Sequence, residues 1–276
     1  MNIFVLDETQ CVLGESAFWN NERQSYLWLD ILKRCLYEKR RERLDCHDFD
    51  FTPSAILRNE DAACITLVSD AGIVKYHLDS RRILELLPIA LEPGFRTNDA
   101  GSDPQGRVVF GSMEWEPTGR HGEIYRLEKD GSLRKLLSNV GIPNTFLWSS
   151  CGKKIYFADS YLQEMYVADY RENEIANIKL LFRSNGDATP DGSCQGEVGM
   201  FNAEWDGARV ALRSFDDGRV LSELPLKALR PTSCAVAGDK MDELLITTAS
   251  DGMDDQQMAA FPLSGKTLIA CLKSVG

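Results

Sequence analysis

The sequence predicts an all-β fold, a six-bladed β-propeller with a central channel. Three observations carry this: a strand motif recurs six times, turn-forming residues hold the same place in each unit, and no long amphipathic helical pattern occurs. The motif strands are Tyr26-Leu27-Trp28-Leu29-Asp30, Cys64-Ile65-Thr66-Leu67-Val68, Val108-Val109-Phe110-Gly111, Ile155-Tyr156-Phe157-Ala158-Asp159, Gly199-Met200-Phe201-Asn202-Ala203 and Leu244-Leu245-Ile246-Thr247. With Trp28, Thr66, Phe110, Phe157, Phe201 and Ile246 as equivalent positions, the steps are 38, 44, 47, 44 and 45 residues. Several strands in a repeat of this length describe a propeller blade.

Each unit is justified by its own punctuation. Turns precede the motif strands at Asn20-Asn21, Asn59-Glu60-Asp61, Asp103-Pro104-Gln105-Gly106, Ser149-Ser150-Cys151-Gly152, Gly196-Glu197-Val198-Gly199 and Gly238-Asp239, as hairpins require. In the first five units a further strand follows, at Cys35-Leu36-Tyr37, Ile73-Val74-Lys75-Tyr76, Glu123-Ile124-Tyr125-Arg126, Glu164-Met165-Tyr166-Val167 and Arg209-Val210-Ala211-Leu212. The sixth unit is short, with its last strand expected around Ala259-Ala260-Phe261 and the N-terminal segment pairing into that blade to close the ring. The reading is one domain spanning residues 1–276; a pair of β-sandwiches is the competing architecture, disfavoured by the even spacing.

Composition bounds the function. The chain has 276 residues, 43% apolar, 26% charged and 9% aromatic, which excludes a disordered, collagenous or coiled-coil chain. No apolar run approaches the roughly 20 residues that span a bilayer, and Met1 to Asp7 lacks a basic flank, so the expectation is a cytoplasmic protein without a membrane partner. A net charge of −11 with scattered basic residues argues against nucleic acid as a partner. The eight cysteines, with no C-x-x-C, read as buried small hydrophobes rather than disulfides or a thiolate metal site. A monomer or weak homo-oligomer is expected.

In a repeat fold, polar residues at one repeat position converge on one site. Glu15, Ser54, Asn98, Asn144, Asp191 and Ser233 lie 13, 12, 12, 13, 10 and 13 residues before their markers, each placed just ahead of the innermost strand of its blade. Two carboxylates, two carboxamides and two hydroxyls would ring one mouth of the channel, a cluster that asks for a cation or a polyhydroxylated ligand. Within it, the all-oxygen set Glu15, Asn144 and Asp191 suits a hard divalent ion, Ca²⁺ first, with Mg²⁺ or Mn²⁺ also suited; Zn²⁺ is better matched by His and Cys but is kept among the possible occupants.

At these residues the sequence resembles the senescence marker protein, gluconolactonase and luciferin-regenerating enzyme family, which includes regucalcin. The matching stretches are Leu13-Gly14-Glu15 with Trp19 and Asp30-Ile31; Arg96-Thr97-Asn98-Asp99 through Asp103-Pro104 and Gly106-Arg107 to Gly111-Ser112-Met113; Ile142-Pro143-Asn144 with Tyr156 to Ser160; Pro190-Asp191-Gly192; and Thr232-Ser233-Cys234. The resemblance implies a propeller holding one divalent ion on Glu15, Asn144 and Asp191, with Arg96, Asn98 and Glu116 on the substrate's oxygens. Glu116 also lies in an enlarged connection, Glu114 to His121, that could fold over the mouth as a partial lid. The chain departs from the family pattern at Ser16-Ala17, where Gly-Pro is usual, at Ala100, at Gly196 in place of an Asp, and in its short C-terminus.

The implied activity is a carboxylic ester hydrolase that opens a sugar lactone. The ion polarises the carbonyl and Asp191 serves as general base, with a water activated by the ion as the runner-up nucleophile. A metal-dependent esterase or organophosphate hydrolase, and a non-catalytic calcium-binding propeller, are the alternatives. His47, His77 and His121 have no triad spacing, no Gly-x-Ser-x-Gly elbow or phosphate loop occurs, and Lys39-Arg40-Arg41 and Asp254-Asp255 read as solvated charge.

Overall fold

A computed structural model describes residues 2–272. It is a six-bladed propeller of four-stranded antiparallel sheets. The chain opens with β1 (Ile3–Asp7) and then lays down the first blade as β2 (Gly14–Asn20), β3 (Ser25–Asp30), β4 (Cys35–Arg40) and β5 (Arg43–Asp48). The second blade is β6 (Pro53–Arg58), β7 (Cys64–Ser69), β8 (Gly72–His77) and β9 (Arg82–Pro88). The third is β10 (Phe95–Ser102), β11 (Val108–Glu114), β12 (Gly122–Leu127) and β13 (Leu133–Val140). The fourth is β14 (Pro143–Trp148), β15 (Lys154–Asp159), β16 (Glu164–Tyr170) and β17 (Ile175–Arg183). The fifth is β18 (Thr189–Gln195), β19 (Met200–Trp205), β20 (Arg209–Arg213) and β21 (Val220–Pro225). The sixth is β22 (Arg230–Ala237), β23 (Glu243–Ala249) and β24 (Thr267–Cys271), completed by β1 as its outermost strand.

The six markers all fall on second strands. Trp28, Phe110, Phe157 and Ile246 are at most 2% exposed because a blade's second strand is covered on both faces by its neighbours. The core is accordingly split into wedges between blades. Leu27, Leu29 and Leu36 pack on Ile56, Ile65 and Val74 between the first and second blades, and Val109 and Ile124 pack near Phe146, Ile155 and Phe157 between the third and fourth. Ala203 and Val210 meet Leu244, Ile246 and Leu268 between the fifth and sixth. Outermost strands lose that cover: β9 and β21 are exposed along most of their length.

Close packing near the axis explains one motif glycine. A Cβ on Gly111 would sit 2.2 Å from Cγ of Pro143 in the next blade, so only glycine lets β11 approach that ring.

Ring closure follows expectation: Ile3, Phe4 and Val5 face Ala270, Ile269 and Leu268 in antiparallel register. The last strand does not. Asp255–Ala260 is a short helix, α1, because Asp254 caps it: its Oδ1 accepts the Gln257 N–H at 2.8 Å, and the Gln257 side chain accepts the Asp254 N–H. Asp254 is therefore a helix cap rather than free charge, and the strand comes later, at β24. Nor is Lys39 solvated: its Nζ reaches Asp7 Oδ2 at 2.8 Å with both side chains 14% exposed, tying β4 to the end of β1. All eight cysteines are free, but only Cys11, Cys35, Cys64 and Cys234 are buried; Cys151 and Cys271 are exposed and the other two are half-buried. Among the described residues no helix is long and apolar enough to cross a membrane.

Candidate active site

The ring residues lie inside the innermost strands, not ahead of them. Each of those strands slips register against its neighbour at the ring position: after Glu15 in β2, between Pro53 and Ala55 in β6, between Thr97 and Ala100 in β10, after Asn144 in β14, between Pro190 and Ser193 in β18 and between Pro231 and Ser233 in β22. Such a bulge frees residues from the ladder and re-aims their side chains. Ser16 and Thr145, which follow Glu15 and Asn144, take left-handed φ values of 51° and 57°.

The bulges bring Glu15, Asn98, Asn144 and Asp191, together with Arg96, to the wall of one cavity of about 610 Å³. Ser54 and Ser233 do not line it. The Ser54 hydroxyl is buried against Thr97 Oγ1 at 2.7 Å, and Ser233 is only partly exposed, its carbonyl accepting from Thr247 Oγ1. Glu116 is exposed on its loop and also absent from the lining, whereas Pro117 lines it and Trp115 stacks on Arg96, whose Cζ lies 5.4 Å from the ring centre.

A hydrogen-bond chain crosses the floor. Arg96 Nη1 donates to Asn98 Oδ1 at 2.8 Å, Asn98 Nδ2 to Asn144 Oδ1 at 2.9 Å, Asn144 Nδ2 to Ser160 Oγ at 2.9 Å, and Ser160 Oγ to the Pro190 carbonyl at 2.6 Å. Four side chains are thereby oriented from one end, and the last link ends beside Asp191. Asp99 and Ser160 are the residues that spacing alone misses. Asp99 accepts N–H groups from Ala100 at 2.7 Å and from Thr145, in the next blade, at 2.8 Å. Its signal is a second polar repeat position, one past the ring, held by Ser16, Asp99 and Thr145.

That second position stitches the blades together. Ser16 Oγ accepts the Ile56 N–H at 2.7 Å, joining the first blade to the second, and Thr145 Oγ1 donates to the Asp191 carbonyl at 2.7 Å, joining the fourth to the fifth. Between the fifth and sixth the contact is made by thiols, Cys194 Sγ to Cys234 Sγ at 3.7 Å.

Three carboxylates share this interior. Burial, then the Asp99 charge, pushes Glu15 up to about 8, although the Ser16 N–H and Arg96 oppose it. Asp191 is pushed up by burial and by repulsion from Glu15 and Asp99, and burial raises Asp99 to about 6. Arg96 falls to about 10 because burial outweighs the pull of Glu15 and Asp191. Buried together, three acidic groups against one guanidinium cannot all carry their charge unaided, which is why their pKa values rise. A divalent cation offsets that charge, and the oxygens of Glu15, Asn144 and Asp191 are the donors a hard ion takes. Two other groups of ligand-type side chains contain thiols and lie away from this cavity: Cys35 with Cys46 and Asp48 on β4 and β5, and Asp61 with Cys64 and His77 at the turn before β7, the start of β7 and the end of β8.

The SMP-30/gluconolactonase/LRE-like region matches residues 13–250. An L-arabinolactonase of Azospirillum brasilense is 30% identical over 99% of this chain and 92% of that protein. A 6-deoxy-6-sulfogluconolactonase of Pseudomonas putida is 29% identical over 92% of this chain and 89% of its own. The crystal structure of a calcium-binding protein, regucalcin, from Agrobacterium tumefaciens superposes with a TM-score of 0.88 at 26% identity, covering 96% of this chain and 92% of the other.

Proposed function

The chain belongs to the SMP-30/gluconolactonase/LRE-like family, and from that membership together with its cavity we propose that it hydrolyses the ester bond of a sugar lactone. The observation that carries the reading is the convergence of Glu15, Asn98, Asn144, Asp191 and Arg96 on one cavity of lactone-holding size. Relatives named for lactone opening support it. Their names cover an uncharged and a sulfonated lactone, so membership alone does not choose between them.

Glu15, Asn144 and Asp191 would hold one divalent ion, Ca²⁺ first, which supplies Lewis-acid polarisation of the lactone carbonyl when bound. Similarity to a calcium-binding regucalcin supports that order. Arg96, fixed by its hydrogen bond to Asn98 Oδ1, presents its remaining N–H groups to the sugar oxygens, while Asn98, whose two N–H groups go to the Pro143 carbonyl and Asn144 Oδ1, offers the second lone pair of its Oδ1 to a sugar hydroxyl. Asp191 takes a proton from water as its oxygen adds to the carbonyl carbon; the acyl C–O bond then breaks, and the proton passes to the departing ring oxygen. The product is an open-chain acid. Glu116, exposed on its loop, is assigned to the substrate by the family resemblance, and Trp115 and Pro117 carry that loop's contact with the site.

Acid release from a panel of aldonolactones, measured after chelation and then with Ca²⁺, Mg²⁺, Mn²⁺ or Zn²⁺ restored singly, tests the proposal. Ion-dependent turnover that disappears in Asp191→Ala supports it. Ion binding without turnover of any lactone moves the function to another ester or to calcium binding alone.

A further inference from the structure

The outer wall of the cavity differs in charge from what a general sugar-binding mouth requires. Along the fifth and sixth blades it is built from Asp187, Trp205, Asp206 and Asp251, which precede β18, end β19, follow β19 and follow β23. Only Asp206 is neutralised: Arg230 Nε donates to its Oδ1 at 2.6 Å. The same guanidinium lies over the Trp205 ring at 4.9 Å and donates to the Asp251 backbone carbonyl, so it is committed three times over. Asp187 and Asp251 have exposed side chains, and among the described residues neither carboxylate is paired with a cation. Of the described residues lining the cavity, Arg96 is the one cation, and it sits across the mouth against Trp115 with Nη1 already donating to Thr97 O and Asn98 Oδ1.

We infer that this wall makes the site selective for uncharged sugar lactones and turns away those bearing an anionic substituent, a phosphate or sulfonate, at the end of the carbon chain remote from the reacting carbonyl. The inference rests on the lactonase reading and adds to it a substrate class and two specificity residues, Asp187 and Asp251. An anion entering this mouth meets two unpaired carboxylates without a free cation beside them, a like-charge arrangement that discriminates by repulsion rather than by missing contacts. The whole-chain charge of −11 acts in the same direction at longer range. Trp205, half-buried in the same wall, offers a ring to the C–H face of an uncharged sugar. A neutral lactone enters and a carboxylate leaves, so the wall that rejects anionic substrates also favours loss of the product.

The test compares kcat/KM for gluconolactone and 6-phosphogluconolactone, each corrected for spontaneous opening, with the same divalent ion and at fixed ionic strength. The expected result is a preference of about 30-fold or more for the uncharged lactone, expressed mainly in KM. Added salt narrows it, because rim charges are screened. In Asp187→Asn/Asp251→Asn, whose exposed side chains support no packing, the ratio of phosphorylated to uncharged turnover rises about tenfold. Equal use of the two lactones, preference for the phosphorylated one, or a ratio that neither salt nor the double variant moves overturns the inference and leaves the lactonase reading standing. No turnover of these two lactones or of any other in the aldonolactone panel overturns both.

Discussion

Asn98 Nδ2 donates to Asn144 Oδ1 at 2.9 Å across the seam between the third and fourth blades. The bond leaves Asn144 Oδ1 with one lone pair engaged and the other free, while Ser160 holds the far side of the amide. A residue assigned to substrate and a residue assigned to the ion are thus one mechanical unit, set in turn by Arg96. In metal sites, partners that orient a ligand are worth about 10 to 100-fold in affinity. Asn98→Ala is therefore expected to weaken divalent-ion binding about 10-fold or more as well as to raise KM. Titration with a competing chelator reads the first effect directly; unchanged ion affinity would confine Asn98 to the substrate.

The buried carboxylates set a pH dependence whose sign is opposite to that of an ordinary salt-bridged acid. Glu15 is raised from 4.5 to about 8, so between those values the folded, ion-free chain keeps a proton that the unfolded chain has released. Stability from this group is lost as pH rises through that window. His47, whose pKa burial lowers from 6.5, acts in the opposite direction but only at and below its ordinary value. Melting temperatures of chelated protein should therefore fall between pH 6.5 and 8, above the range in which His47 opposes the trend. Glu15→Gln should flatten the slope, and a bound divalent ion should abolish it with release of protons. A chelated protein equally stable at both pH values would contradict the raised pKa.

Trp115 and Glu116 are neighbours with different prospects. The Trp115 ring covers the Arg96 guanidinium, while the Glu116 side chain faces solvent. Loss of a cation–π contact of this kind is worth about 1 kcal/mol, or roughly fivefold. Trp115→Ala should raise KM about fivefold, with Glu116→Ala changing it less; steady-state kinetics on one lactone separates the two, and the reverse order would show that the loop closes Glu116 onto the substrate.

Gly111→Ala places a methyl group into the Pro143 ring. Overpacking of this kind costs about 1–3 kcal/mol, which for a chain of this size lowers Tm by roughly 3–10 °C. Because Pro143 precedes Asn144, ion affinity should fall alongside Tm, and a loss of stability with unaltered ion binding would show that the strain is absorbed elsewhere.

The blades were readable because most of their markers sit where sequence is most constrained. Trp28, Phe110, Phe157 and Ile246 are buried between two sheets, so four units supply a large apolar residue at one height, while Thr66 and Phe201 are only half-buried and are placed by spacing and turns instead. Convergence of Glu15, Asn98, Asn144 and Asp191 was readable for the same reason. Ser54 was not, since its hydroxyl is satisfied by Thr97, a partner 43 positions away that repeat spacing does not reveal. Loop length announced the Glu114 to His121 excursion but not which side chain turns inward. The α1 helix carried its own signature, Asp254 three residues before Gln257, which charge alone hides.

The clasp between β1 and β24 has a consequence for biosynthesis. Ile3 to Asp7 leave the ribosome roughly 260 residues ahead of their partners in β24, and at ~5–20 residues per second that wait is roughly 13–50 s. Throughout it, the first blade lacks its sixth-blade neighbour, and Leu6, Trp19 and Tyr26 lose the cover that Leu245 and Ile269 give them, keeping only their contacts within the first blade. Glu15 and Asp191, contributed by the first and fifth blades, face one cavity only when the circle shuts. A nascent chain therefore lacks the proposed ion site while it folds, and a divalent ion held there would stabilise only the finished ring.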